Sequence, residues 1–275
     1  MKWFLVAVVA ACLVATGAIA QEKPILFGDN SAVGKFYEID DFKMYCEIYG
    51  TGKPVLLIHG NNGSIKAFNH NIPYFSAKYR VIAADSRAQG KSKDGGQLLT
   101  FEMMADDEAA LLDALRIDSA YVIGWSDGGI VALLLAMRHP EKVIKLVATG
   151  ANVQPNASAF RAGVWASDKK RYDADKNKAW RTEEEKNNWK LFVLDWDQPN
   201  IPFAALQSIR CPSLIICGDH DVISIEHTVK IFQNIPKAAL WVVPSSGHAT
   251  LVEHAKEFNM KVDEFFSKSV GEPRK

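Results

Sequence analysis

At 275 residues the chain is long enough to bury one large core, and a single domain with an insertion accounts for it better than two independent domains. Lys plus Arg number 32 and Asp plus Glu number 32, so no global charge recruits nucleic acid or an anionic membrane surface. The partner this balance favours is a small neutral or zwitterionic molecule.

The N-terminus differs in kind from the rest. Lys2 precedes an apolar run from Trp3 to Ala15, and Ala18-Ile19-Ala20 before Gln21 has the small-x-small form of a signal-peptidase site. Residues 1–20 are therefore expected to be a removed signal peptide, with the mature protein exported to the periplasm or beyond. Thr16 and Gly17 end the apolar run early, so no stable membrane span is expected. An alternative lies inside the leader: Val9-Ala10-Ala11-Cys12 resembles a lipoprotein box, which would leave Cys12 as a lipid-anchored N-terminus, although its early position ranks it below simple cleavage. Cys46, Cys211 and Cys217 then remain, an odd set without metal-site spacing. Cys211 and Cys217 flank an apolar strand and are expected as small core residues, so export is argued from the leader and not from a disulfide framework.

In chain order, residues 36–49 have the pattern of a two-stranded hairpin and Pro54 to Ile58 that of a short buried strand ending at His59-Gly60. Further strands are expected at Arg80 to Ala84, Ala120 to Ile123, Val143 to Ala148, Ser213 to Cys217 and Ala239 to Val243. Helical patterns fill the gaps at about 65–77, 101–115, 127–138, 225–233 and 250–267. Such alternation implies an α/β fold with a mostly parallel central sheet covered by helices on both faces. Residues 151–206 break the rhythm. They are polar and aromatic, with Trp165, Trp180, Trp189 and Trp196 among charge-rich stretches, and they predict a helical cap inserted into a body made of residues 21–150 and 207–275. The cap tryptophans are expected mainly to pack the cap on the body, with some of them free to line a pocket.

Gly124-Trp125-Ser126-Asp127-Gly128 matches G-x-S-x-G between a predicted strand and a predicted helix, the context in which this motif makes a nucleophile elbow. So sharp a turn leaves no room for side chains two residues before and after the serine, hence the glycines. A serine hydroxyl is a weak nucleophile until a base takes its proton, so a histidine and a carboxylate are required later in the chain. His248 follows the strand ALWVV in PSSGHA, and Asp221 follows SLIIC in CGDHD. Asp219 competes for the acid role, but the greater distance of Asp221 from the strand end lets its loop reach the histidine. The oxyanion needs two backbone N–H donors: Asp127, directly after the nucleophile, and a residue of the loop His59 to Gly63, for which Asn61 is chosen over a plain Asn/Gly turn.

Together these residues resemble the α/β-hydrolase superfamily over nearly the whole mature chain. HG after a strand, DSRAQGKS at Asp85 to Ser92, GWSDGG, GDHD and SGH stand in the family's order. A narrower resemblance, through GWSDGGI, Pro140 to Val147 and Gly150 to Asn152, is to the biphenyl hydrolase-like enzymes that cleave valacyclovir and other α-amino-acid esters. The narrower resemblance implies an acidic pocket residue that holds the substrate ammonium, a role that falls on Asp127, with Trp125 beside it in the substrate site. The rival account of Asp127 is a carboxylate favoured by the helix dipole, without a ligand. Ala88 in place of the family's glycine and the HGNNG loop depart from the pattern and bear on substrate more than on catalytic class.

The expectation is thus an exported serine hydrolase acting on small carboxylic esters through an acyl-enzyme, with Ser126, His248 and Asp221 catalytic, Asn61 and Asp127 at the oxyanion, and no metal or organic cofactor. Lactone opening, carbon–carbon bond hydrolysis and aminopeptidase activity remain open on the same triad. A non-catalytic ligand receptor of this fold is the rival from another class, and it would not need a complete triad.

Overall fold

The computed structural model describes residues 25–94 and 96–268. The expected signal peptide and Cys12 lie outside the described residues.

The chain begins with an antiparallel hairpin, β1 (Lys35–Ile39) and β2 (Phe42–Tyr49), and continues through β3 (Pro54–Ile58). A 3-10 turn at Ile65–Phe68 and the short α1 (Ile72–Ser76) lead to β4 (Arg80–Ala84). The helix expected over 65–77 is therefore split. Asn71 precedes α1 and Pro73 stands in its first turn, where the missing proline N–H is harmless, whereas one continuous helix would have put that proline in its interior. Then follow α2 (Phe101–Ala114), β5 (Ala120–Trp125), α3 (Asp127–Arg138) and β6 (Val143–Thr149). Residues 151–206 contain no strand and supply α4 (Val164–Asp175) and α5 (Glu183–Asp197). The chain returns to the sheet with β7 (Ser213–Gly218), α6 (Ile225–Asn234) and β8 (Ala238–Val243). The last predicted helix is broken at His254 into α7 (Thr250–Glu253) and α8 (Ala255–Ser267).

Among the described residues eight strands form one sheet in the order β1-β2-β4-β3-β5-β6-β7-β8, parallel from β4 through β8 with the hairpin antiparallel at one edge. Side chains alternate across it. Leu56 and Ile58 of β3 enter a core with Phe101, Leu112, Val131 and Leu135 on one face, while Val55 and Leu57 meet Phe75, Phe258 and Phe266 on the other. Burial on both faces explains why the central strands read as unbroken apolar runs.

The chain moves from β3 outward to β4 and then crosses to the other side of β3 for β5, so its direction of winding reverses between β3 and β5. At such a reversal the loops leaving the two strands part and open a crevice at their carboxyl ends. The HGNNG loop leaves β3 there, and Ser126 leaves β5.

Buried polar groups fix the loops around this crevice. Asp85 accepts the N–H groups of Ile65 and Lys91, each at 2.8 Å. Arg87 forks onto Asp107 of α2 at 2.8 and 2.6 Å and reaches Asp41 of the hairpin at 2.6 Å. Ser92 accepts the Tyr45 N–H at 2.8 Å. The DSRAQGKS stretch is therefore scaffolding, and Ala88 within it holds a left-handed φ of 65°, which is why a glycine suits that position.

Glu108 of α2 is only 1% exposed, and burial pushes its carboxyl up to about 8. Between the ordinary carboxylate range and that value the folded chain keeps a proton that the unfolded chain has lost. Stability from this group is thus full at low pH and falls by about 1.4 kcal/mol per pH unit as the pH rises through the window. Glu108→Gln should therefore gain stability relative to wild type in denaturant melts between about pH 5 and about pH 8, and a difference independent of pH would contradict the assignment.

Candidate active site

β5 ends at Trp125 and α3 starts at Asp127, so Ser126 alone turns the chain, at φ 57° and ψ −121°. That conformation is strained for an L-residue by on the order of 1–3 kcal/mol. Its surroundings hold it there. The Ser126 N–H donates to Thr149 O at 2.9 Å, and the Ser126 carbonyl accepts the N–H groups of Gly129 and Ile130 at 2.8 and 3.1 Å. Strand and helix come so close that a Cβ on Gly124 would lie 2.0 Å from the Gly128 carbonyl oxygen, and one on Gly128 would lie 1.9 Å from that of Ile58.

The loops after β7 and β8 bring in the acid and the base. Ser126 Oγ is 2.9 Å from His248 Nε2, and His248 Nδ1 is 2.6 Å from Asp221 Oδ1. With Nδ1–H donating to the carboxylate, Nε2 offers its lone pair to the serine hydroxyl. The Asp221 side chain is fully buried, and the same Oδ1 accepts the Ile223 N–H at 3.0 Å, which fixes its direction. Asp219, the competing acid, instead accepts the Ser246 N–H at 3.0 Å and so braces the histidine loop. The Gly247 N–H donates to Glu253 at 2.6 Å in the same loop.

Asn61 and Asp127 line one cavity with Ser126 and His248. By helix geometry the first N–H of α3, that of Asp127, lies outside the helical ladder and is available to an anion. The loop bearing Asn61 is held by His59, whose Nδ1–H donates to Gly60 O at 2.8 Å while Nε2 accepts the Ser86 N–H at 2.9 Å. Burial keeps the His59 pKa low, in keeping with this neutral tautomer. The Asn61 side chain donates to Asp127 Oδ2 at 2.9 Å and to Leu191 O of α5 at 3.1 Å, tying loop, nucleophile helix and α5 together.

The structure does not bring Trp125, expected in the substrate site, to the wall of this cavity. Its ring packs with the core cluster on the α8 side of the sheet while its Nε1–H donates to His248 O at 2.9 Å. Trp125 shares its face of β5 with Tyr121 and Ile123, as alternate residues of a strand do.

The cavity has a volume of about 510 Å³, and its outer wall comes from residues 151–206. Phe160, Trp165, Phe192 and Trp196 give that wall an apolar part, and Asp168, Asp195 and the basic Arg171 a charged one. Trp165 and Trp196 stack at 4.4 Å and Trp196 continues onto Tyr172 at 4.8 Å, so two of the four tryptophans reach the cavity while Trp180 and Trp189 stack behind. This ring stack joins α4 to α5, although α4 buries no residue fully. Asn187 and Gln198 tie α5 to the body by donating to Ala88 O at 2.7 Å and Leu99 O at 3.1 Å.

Burial raises the carboxyl pKa of Asp127 and, to a greater degree, that of Asp195, whose carboxyl also feels the negative charge of Asp127 beside it. Asp168, also facing the cavity, is raised by burial. Nothing in the sequence singles out Asp195 or Asp168 among the many charges of that segment.

A family model described as alpha/beta hydrolase fold matches residues 53–179. Serine hydrolase BPHL of Mus musculus is 25% identical over 264 residues, covering 90% of this chain and 91% of that protein. The 2-hydroxymuconate semialdehyde hydrolase of Pseudomonas sp. (strain CF600) is 27% identical over 259 residues, covering 80% of this chain and 89% of that protein. Among solved structures, a hydrolase from Pseudomonas aeruginosa PA01 matches with a TM-score of 0.74 and 21% identity, over 87% of this chain and 100% of that one, a likeness of fold.

Proposed function

The chain belongs to the α/β-hydrolase superfamily and is a serine hydrolase, and on that premise we propose that it cleaves small carboxylic esters through an acyl-enzyme on Ser126. The observation that carries this reading is the unbroken series Asp221–His248–Ser126 at the N-terminus of α3, on the wall of a substrate-sized cavity. Ser126 Oγ attacks the ester carbonyl as His248 Nε2 takes its proton. Asp221 holds the imidazole in the Nδ1–H tautomer and stabilises the imidazolium. The N–H groups of Asn61 and Asp127 receive the oxyanion, a pair of which each member is worth on the order of 3 kcal/mol in the transition state. His248 then gives its proton to the departing alkoxide, and water, deprotonated by the same imidazole, releases the acid and restores Ser126.

Residues 151–206 act in this reading as a cap that closes the site. Its carboxyls favour an acyl group bearing an ammonium. A carboxylate beside a developing oxyanion is electrostatically unhelpful, and Asp127 and Asp195 together are costly to bury, so a cation that meets them offsets a cost the free enzyme carries. The aromatic wall of Trp165, Trp196, Phe160 and Phe192 suits an apolar side chain on the same acyl group. Export through residues 1–20 belongs to the same proposal and is supported by the Ala18-Ile19-Ala20 site.

Two experiments test these points. kcat/KM should be higher for a phenylalanyl ester than for the matching 3-phenylpropionyl ester, and Asp127→Asn should erase that preference while sparing the simple ester. The loss expected is about tenfold or more, since removing one side of a buried charge pair typically costs a few kcal/mol. Equal preference in both proteins would leave Asp127 as a helix-terminus residue. Mass spectrometry of protein expressed with its own leader should find a mature N-terminus at Gln21, and a diacylglycerol-modified Cys12 would replace export by lipid anchoring.

A further inference from the structure

Trp125 links the nucleophile's strand to the loop of the base. Its indole Nε1–H donates to the carbonyl oxygen of His248 at 2.9 Å, and its ring lies 5.9 Å from the imidazole at 47°. The other braces of that loop end on its neighbours: Asp219 and Glu253 accept the N–H groups of Ser246 and Gly247, the His220 N–H donates to Ser246 O, His254 Nε2 meets Ser245 O, and Ala249 O accepts the N–H groups of Val252 and Glu253. The Trp125 bond lands on the histidine's own backbone. It starts from the residue covalently next to Ser126 and so ties the base to the strand end that carries the nucleophile.

The indole is suited to this task. It is a flat spacer with two side-chain torsions and a single fixed donor, and its body is half-buried against the core cluster that includes Leu251 and Val243. Asp221 orients the imidazole itself, whereas the bond to the carbonyl fixes the backbone point from which the ring reaches Ser126. We propose that Trp125 is a positioning residue for proton transfer, its indole N–H holding the His248 carbonyl so that Nε2 stays within reach of Ser126 Oγ. This rests on the reading of Ser126 and His248 as nucleophile and base.

Trp125→Phe keeps a flat ring and removes the donor. In this variant kcat on a p-nitrophenyl ester should fall about 10- to 100-fold, the scale of a small misplacement of reacting groups, with KM within about twofold of wild type. Fluorophosphonate should label Ser126 more slowly by a similar factor, yet to full stoichiometry, which a partly unfolded protein would not reach. Ser126→Ala, measured beside it, separates the two levels of the account. An active Ser126→Ala overturns the reading of the nucleophile, whereas an inactive Ser126→Ala together with a Trp125→Phe of near wild-type kcat overturns the positioning role alone. Should Trp125→Phe not fold, the wild type supplies the readout: in protein labelled with 15N-tryptophan, the indole N–H in through-space contact with the His248 ring should exchange slowly with solvent. Rapid exchange of that proton would overturn the proposal.

Discussion

One residue carries the chain from β5 into α3, and the strained backbone of Ser126 is the constraint that the surrounding structure serves. The strain persists because neighbouring parts over-determine it: Thr149 holds the Ser126 N–H, the first turn of α3 holds its carbonyl, and the missing side chains at Gly124 and Gly128 let strand, helix and β3 close on one another. The turn stands beside the strand pair where the winding of the sheet reverses, so a crevice opens where the serine emerges. Both flanking loops are then fixed from below. Asp85 and His59 set the one after β3, and Asp219, Glu253 and Trp125 set the one that carries His248.

Electrostatics divides the cavity into two regions with different demands. Around Ser126 the N-terminus of α3 favours negative charge. Close by, Asp127, Asp195 and Asp168 gather carboxyls whose ionisation burial opposes. Asn61 bridges the regions, for its side chain holds the Asp127 carboxylate and the α5 backbone while its own backbone belongs to the loop facing the serine.

The body of the fold was readable because both of its periodicities are strong: buried parallel strands are apolar runs, and α3 is apolar nearly all round. Ser126, His248 and Asp221 were readable because each follows a strand, so chain order foretold their meeting. The split of the helix over 65–77 and the break at His254 were not, since a proline tolerated in a first turn and a single non-helical residue leave the apolar pattern intact. The wall formed by residues 151–206 was legible only as helical. There the contacts are ring on ring and carboxyl on carboxyl, with no apolar stripe to say which side of α4 faces inward. The direction of Trp125 follows from the alternation along β5, which the resemblance alone does not carry.

The account turns on Ser126 being the group that forms the covalent bond, with His248 activating it. Intact-mass and peptide mass spectrometry after treatment with a fluorophosphonate tests this directly. The account predicts one adduct per chain, located on Ser126, absent in Ser126→Ala and formed far more slowly in His248→Ala. An adduct on another residue, or labelling of His248→Ala at the wild-type rate, would contradict it.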